Sequence, residues 1–116
     1  MFCFQNKLPI RDLGNGVLCK VLGSGKNINV RHWDMADKSR VTSHSHPEEQ
    51  FGYVIKGGFN MTIGTETADL GPGDCYFIPS NVPHEFTALG QTEAIDAFSP
   101  VRPNLPGTGT EPSKKK

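Results

Sequence analysis

The sequence predicts an all-β domain, a jelly-roll barrel built from two sheets. Three observations carry this. Short runs alternating apolar and polar residues recur along the chain, and turn residues separate them every few positions. The 13 glycines and 9 prolines, 22 of 116 residues, disfavour long helices. Nine short strands at this spacing suit a double-sheet barrel. At 116 residues the chain holds one domain. Folding at this size hides roughly two thirds of the unfolded surface, enough for a core without covalent staples.

The elements follow in order. The first ten residues contain Asn6, Lys7 and Pro9 and have no apolar core of signal-peptide length. Strands are predicted over 17–22, 28–35 and 40–46. In the second of these Ile28, Val30 and His32 alternate with Asn29, Arg31 and Trp33. Leu22-Gly-Ser-Gly-Lys26 is a turn, and residues 34–39 read as a short helical turn. Strands over 50–56 and 59–63 are divided by Gly57-Gly58, and Gly64-Thr65 turns the chain into a strand over 67–70. Gly71-Pro-Gly-Asp74 is the strongest turn signal, and strands over 75–78, 84–88 and 94–98 follow it. The domain spans 1–103. From 104 to 116 the composition changes to Gly, Pro, Thr and Lys with one large apolar residue, Leu105, which reads as a loose tail.

Charge excludes some functions. Twelve basic residues balance twelve acidic ones, and Lys114, Lys115 and Lys116 form a terminal run. A nucleic-acid footprint would be basic and clustered, and the body of the chain has none. No run reaches the 18 or so apolar residues of a membrane span. Cys3, Cys19 and Cys75 are odd in number and widely spaced. They suit reduced, mostly buried thiols in a cytoplasmic protein.

The four histidines carry the chemical signal. His44 and His46, at the end of a predicted strand, are two apart and so share a face. Gln50 follows, and His84 comes 34 residues later. Imidazoles paired in this way suit a first-row divalent metal. Glu49 is an alternative to Gln50 as a ligand, but a neighbouring position faces the opposite side of a regular strand. His32 lies alone in a β run and reads as a core or surface residue.

The surroundings sharpen this. His44-Ser-His46-Pro-Glu-Glu-Gln50-Phe-Gly-Tyr-Val-Ile-Lys-Gly57 resembles the first motif of the cupin family. Gly73-Asp-Cys-Tyr-Phe-Ile-Pro79-Ser-Asn81-Val-Pro83-His84 resembles the second, with 15 residues between Gly57 and Gly73. The resemblance covers about residues 40–98 and implies a small jelly-roll barrel. Its metal would be divalent (Zn, Ni, Mn or Fe), held by His44, His46, Gln50 and His84. Three positions depart from the usual pattern. Gln50 stands where glutamate is common, Asn81 replaces a glycine, and Ala88 replaces an asparagine. Asparagine tolerates left-handed backbone, so the turn at 81 can survive. Three imidazoles and an amide leave the metal's full charge uncancelled, which makes it a stronger Lewis acid.

A second cluster lies in Asp96-Ala-Phe98-Ser-Pro100-Val-Arg102. Asp96 and Phe98 share a strand face, and Pro100 ends the strand. A partly buried carboxylate beside a metal can act as general acid or base. A guanidinium suits a substrate carboxylate. The alternative is a strand-end salt bridge from Asp96 to Arg102, with Phe98 in the core. The whole set resembles the small pectin-degradation cupins, which convert 4,5-unsaturated uronates to linear keto-uronates. That resemblance implies Asp96 and Arg102 as catalytic residues, and Phe98 and Arg102 as contacts to a small anionic sugar acid. Three other activities suit the same motifs: another lyase, isomerase or cyclase on a small carboxylate; an iron dioxygenase; and a non-catalytic sugar-binding protein. Cupins are usually dimers, and Phe51, Tyr53 and Ile55, alternating opposite Gln50, are candidates to pack on the second sheet or on a partner.

Overall fold

The structure, a computed structural model, describes residues 2–102; the expected tail over 104–116 lies outside them. A 3-10 turn over Gln5–Lys7 precedes ten strands. These are β1 (Arg11–Gly14), β2 (Val17–Ser24), β3 (Asn29–Met35), β4 (Arg40–His44), β5 (Glu49–Lys56), β6 (Phe59–Ile63), β7 (Glu66–Leu70), β8 (Cys75–Ile78), β9 (His84–Ala88) and β10 (Thr92–Ser99). They form a six-stranded sheet, β1-β2-β3-β10-β5-β8, and a four-stranded sheet, β4-β9-β6-β7. Every pairing is antiparallel. This is the all-β jelly roll that the alternating runs predict.

The differences have local causes. The strand β1 escapes sequence reading because Leu13 is its one large apolar residue and it pairs only with β2. A register shift between Val21 and Gly23 carries β2 on to Ser24. The turn therefore falls at Gly25, whose N–H donates to Ile28 O at 2.7 Å. No helical turn forms over 34–39. Asp34 and Met35 belong to β3, and a tight turn closes by Ser39 N–H on Ala36 O at 3.0 Å, with Lys38 at φ 68°. The fourth strand stops at His44, so Ser45 and His46 lie past its end. Cys19 is buried, but Cys3 and Cys75 are exposed, so the thiols are not mostly buried. Position 75 starts β8 with its side chain outward, while Tyr76 and Ile78 turn in.

The core joins both sheets. Val17, Trp33, Met35, Val54 and Ala94 come from the first, and Phe59, Met61, Phe86 and Ala88 from the second. Burial of this apolar surface drives the fold at roughly 25 cal/mol per Å². The inward face of the large sheet changes character along its strands. Ala94 pairs with Trp33 and Val54, Asp96 with Arg31 and Gly52, and Phe98 with Asn29 and Gln50. Apolar rows thus give way to polar ones toward one end of the barrel, and the candidate site lies there. Phe51, Tyr53 and Ile55 face outward from β5 at 48%, 44% and 41% exposure. They do not pack on the second sheet.

Candidate metal centre

Three histidines meet from separate positions. His44 ends β4 and pairs in register with His84, the first residue of β9. Their ring centroids lie 4.3 Å apart. His46 joins them from the connection to β5, with centroids 5.6 Å from His44 and 4.9 Å from His84. A strand face does not bring His46 there, since β4 has ended. Instead the two motifs clasp each other. The N–H of Asn81 donates to His46 O at 2.8 Å, and Ser80 Oγ donates to Pro47 O at 2.6 Å. Asn81 sits at φ 66°, the left-handed backbone that its amide side chain tolerates.

Each imidazole is oriented from behind. Nδ1–H of His44 donates to Thr42 O at 2.9 Å, that of His46 to Glu48 O at 3.0 Å and that of His84 to Val82 O at 2.9 Å. A carbonyl oxygen only accepts, so these contacts place the proton on Nδ1 in all three rings. Nε2 is then the nitrogen with a free lone pair. One ring nitrogen from each histidine lies within 4.8 Å of the other two. Burial lowers all three imidazole pKa values, that of His84 to about 4, and the Arg102 charge adds to the effect. The rings are therefore neutral near pH 7 and able to ligate.

Two further observations show that the residues fit a cation. Nε2 of His84 is buried without a hydrogen-bond partner, a costly arrangement for a polar atom. Gln50, 4% exposed, points inward from β5, and its Oε1 lies 3.1 Å from His46 Nε2. The Gln50 Nε2 donates to Asp96 Oδ2 at 2.5 Å, which fixes Oε1 toward the histidine. Two acceptors thus face each other. Neighbouring ligands of an octahedral ion with bonds near 2.1 Å lie about 3 Å apart, so a shared cation reconciles them. Glu49 is exposed on the opposite face of β5.

The second cluster closes around this centre. Asp96 is fully buried, and Tyr76 Oη donates to its Oδ1 while Gln50 takes Oδ2. Burial pushes the Asp96 carboxyl up to about 6, against the downward pull of the Tyr76 and Gln50 hydrogen bonds. Trp33 adds a weaker downward pull, although its Nε1 falls short of a hydrogen-bonding geometry. The Phe98 ring lies edge-on to His46 at 5.9 Å, and the Arg102 guanidinium sits 5.8 Å from the Phe98 centroid. Asn29 anchors the Arg102 backbone with two bonds of 3.2 Å. A cavity of about 410 Å³ opens among His44, Gln50, Asp96, Phe98 and Arg102, with Trp33 and Phe86 as apolar walls.

The sequence alone did not place Tyr76, Asn29 or Trp33 in the site. Tyr76 was legible only as a position of a short strand, on the same face as Ile78. His32 stands outside this site. It lies on the outer face, 2.9 Å from Glu93 and near Asp34.

Comparison with known proteins agrees with the fold. The cupin domain family model matches residues 31–98. An RmlC-like cupin from Shewanella frigidimarina is 28% identical with a TM-score of 0.84, covering 87% of this chain and 91% of its own. KdgF from Halomonas sp. is 27% identical, also at 0.84, covering 88% and 94%. Among curated proteins, the polyketide synthase CurC of Streptomyces cyaneus is 33% identical over 72 residues, 60% of this chain and 47% of that protein. The chain spans about half the length of the curated relatives it matches.

Proposed function

The chain belongs to the cupin family, and from that premise we propose that it is a metal-dependent enzyme converting 4,5-unsaturated uronate monosaccharides to linear keto-uronates. The observation that carries this reading is the Gln50 amide. It joins Asp96, an acid–base group, to a cluster of three neutral imidazoles. His44, His46, Gln50 and His84 would hold a divalent Zn, Ni, Mn or Fe ion. When bound, such an ion supplies Lewis acidity toward oxygen atoms of a substrate.

The chain's own residues account for the rest. A carboxyl with its pKa near 6 can both give and take a proton around neutrality, as an enol-to-ketone shift requires. Once the hemiacetal ring opens to the enol, Asp96 takes the proton of the enol hydroxyl and returns it to the neighbouring carbon, as C=C becomes C=O. Arg102, at the cavity edge, pairs with the uronate carboxylate, and Phe98 forms a wall for the sugar ring. The substrate is thus a small anionic sugar acid in the cytoplasm. Nucleic acid and membrane have no part in the reading. Among the described residues no helix is long and apolar enough to cross a membrane.

The test is direct. Metal-loaded protein is incubated with unsaturated galacturonate, and loss of the conjugated enol's ultraviolet absorbance is followed. The expected result is a rate well above the spontaneous one, with no need for oxygen. Asp96→Ala should abolish turnover while metal content holds. An absorbance trace no faster than the blank sinks the reading. A second reading, a cyclase or isomerase acting on a planar carboxylate, is favoured by the apolar walls Leu13, Val17, Trp33 and Phe86. It predicts binding of aromatic carboxylates in preference to sugar acids.

A further inference from the structure

One row of the large sheet sets the acid–base group. Asp96 on β10 pairs with Gly52 on β5, and Gly52 pairs with Tyr76 on β8. The side chains of Asp96 and Tyr76 both face the barrel interior. A side chain at position 52 would stand between them. Its Cβ would fall 1.9 Å from Tyr76 Cζ and 2.3 Å from the hydroxyl oxygen. Because residue 52 has none, the Tyr76 ring lies across β5 and its hydroxyl reaches Asp96 Oδ1.

We propose that Tyr76 is a positioning residue of this site. Its hydroxyl holds Asp96 Oδ1, so that Oδ2 faces the Gln50 amide and the cavity, and Gly52 is the slot that admits the ring. This rests on the acid–base reading of Asp96 above.

The physical case has three parts. An aspartate carboxylate turns in a broad torsional well, so one donor does not fix its plane. Two donors on separate oxygens do. The Tyr76 ring is itself held, edge-on to Phe59 at 6.3 Å within the core. Burial and the neighbouring Asp96 raise the phenol's pKa well above its ordinary value, so it remains a donor. Proton transfer depends on reach and alignment, and a misplacement of about 1 Å can cost on the order of 100-fold.

Tyr76→Phe is the informative variant, since it keeps the ring in the slot and deletes one hydrogen bond. Wild type and variant are loaded with zinc. Metal content, kcat and KM on unsaturated galacturonate, and the ¹³C resonance of the Asp96 carboxyl are then measured. The expected result is unchanged metal content, KM within two-fold, kcat lowered at least ten-fold and a displaced Asp96 resonance. A kcat within two-fold of wild type, or an unmoved resonance, overturns the proposal. If wild type does not turn over this substrate, the uronate reading fails and the resonance alone decides: displaced upholds Tyr76, unmoved overturns it. Should Tyr76→Phe not fold, Gly52→Ala displaces the same hydroxyl and must lower kcat by as much. Wild-type kcat in a folded Gly52→Ala protein likewise overturns the proposal.

Discussion

At the scale of the residue, position 50 has two jobs that only an amide performs. Oε1 faces His46 and Nε2 donates to Asp96. Gln50→Glu would set a second carboxylate against Asp96 in a buried place, where like charges cannot both persist. The expected outcome is tighter metal binding in a chelator competition and turnover lowered about ten-fold or more. The histidines give a pH signature in the metal-free protein. An unfolded imidazole takes up its proton below about 6.5, whereas folded His84 resists until about 4, and His44 and His46 are lowered too. Between these limits the unfolded chain binds more protons, so stability falls as pH falls. Asp96 opposes this between 3.8 and about 6, because its folded carboxyl keeps its proton longer. Three imidazoles outweigh one carboxyl, so Tm after metal removal should be lower at pH 5 than at pH 7. A higher Tm at pH 5 would contradict the neutral-imidazole assignment.

At the scale of the element, β5 and β10 do most to place the site. They pair along nearly their whole length, and β10 is hydrogen-bonded on its other edge to β3. Side chains on such a strand have little freedom, which suits residues that must hold a geometry. The alternation Gln50, Gly52, Val54 sends a candidate ligand, a gap and a core residue inward in turn. Filling the gap is costly. Gly52→Ala should destabilise by about 1–3 kcal/mol, the range for overpacking a core, as read by chemical denaturation. Much of this was legible from sequence: the runs, the inward setting of Gln50 and the end of β10 before Pro100. Three things were not. The stop of β4 at His44 depends on a register irregularity beside β9. The weak β1 exists through its partner β2. The turn after Met35 is set by backbone hydrogen bonds that no propensity records.

At the scale of the whole molecule, the two sheets bury their inner faces and leave one outer face apolar. Phe51, Tyr53 and Ile55 on β5 lie beside Phe77 on β8, whose exposure is 52%. A patch of four large side chains suits an interface. We propose that a second copy of the chain covers it, giving a homodimer. Sedimentation of the native protein should report twice the mass of the chain, and Phe51→Lys with Phe77→Glu should shift it to monomer while zinc content is kept. A native monomer at micromolar concentration would remove this face as the dimer contact.

By itself the sequence determined the fold class, most strand positions and the residue types available for a metal, because alternation, turn residues and the spacing of two motifs are local properties. Tertiary structure decided the rest, because it depends on which strands become neighbours. His84 meets His44 only when β9 pairs with β4. Tyr76 touches Asp96 only because a residue without a side chain lies between them on β5. His46 enters the site from a connection that hydrogen bonds from the second motif hold in place. Long-range pairing sets these contacts, and a reading of neighbours along the chain has no access to it.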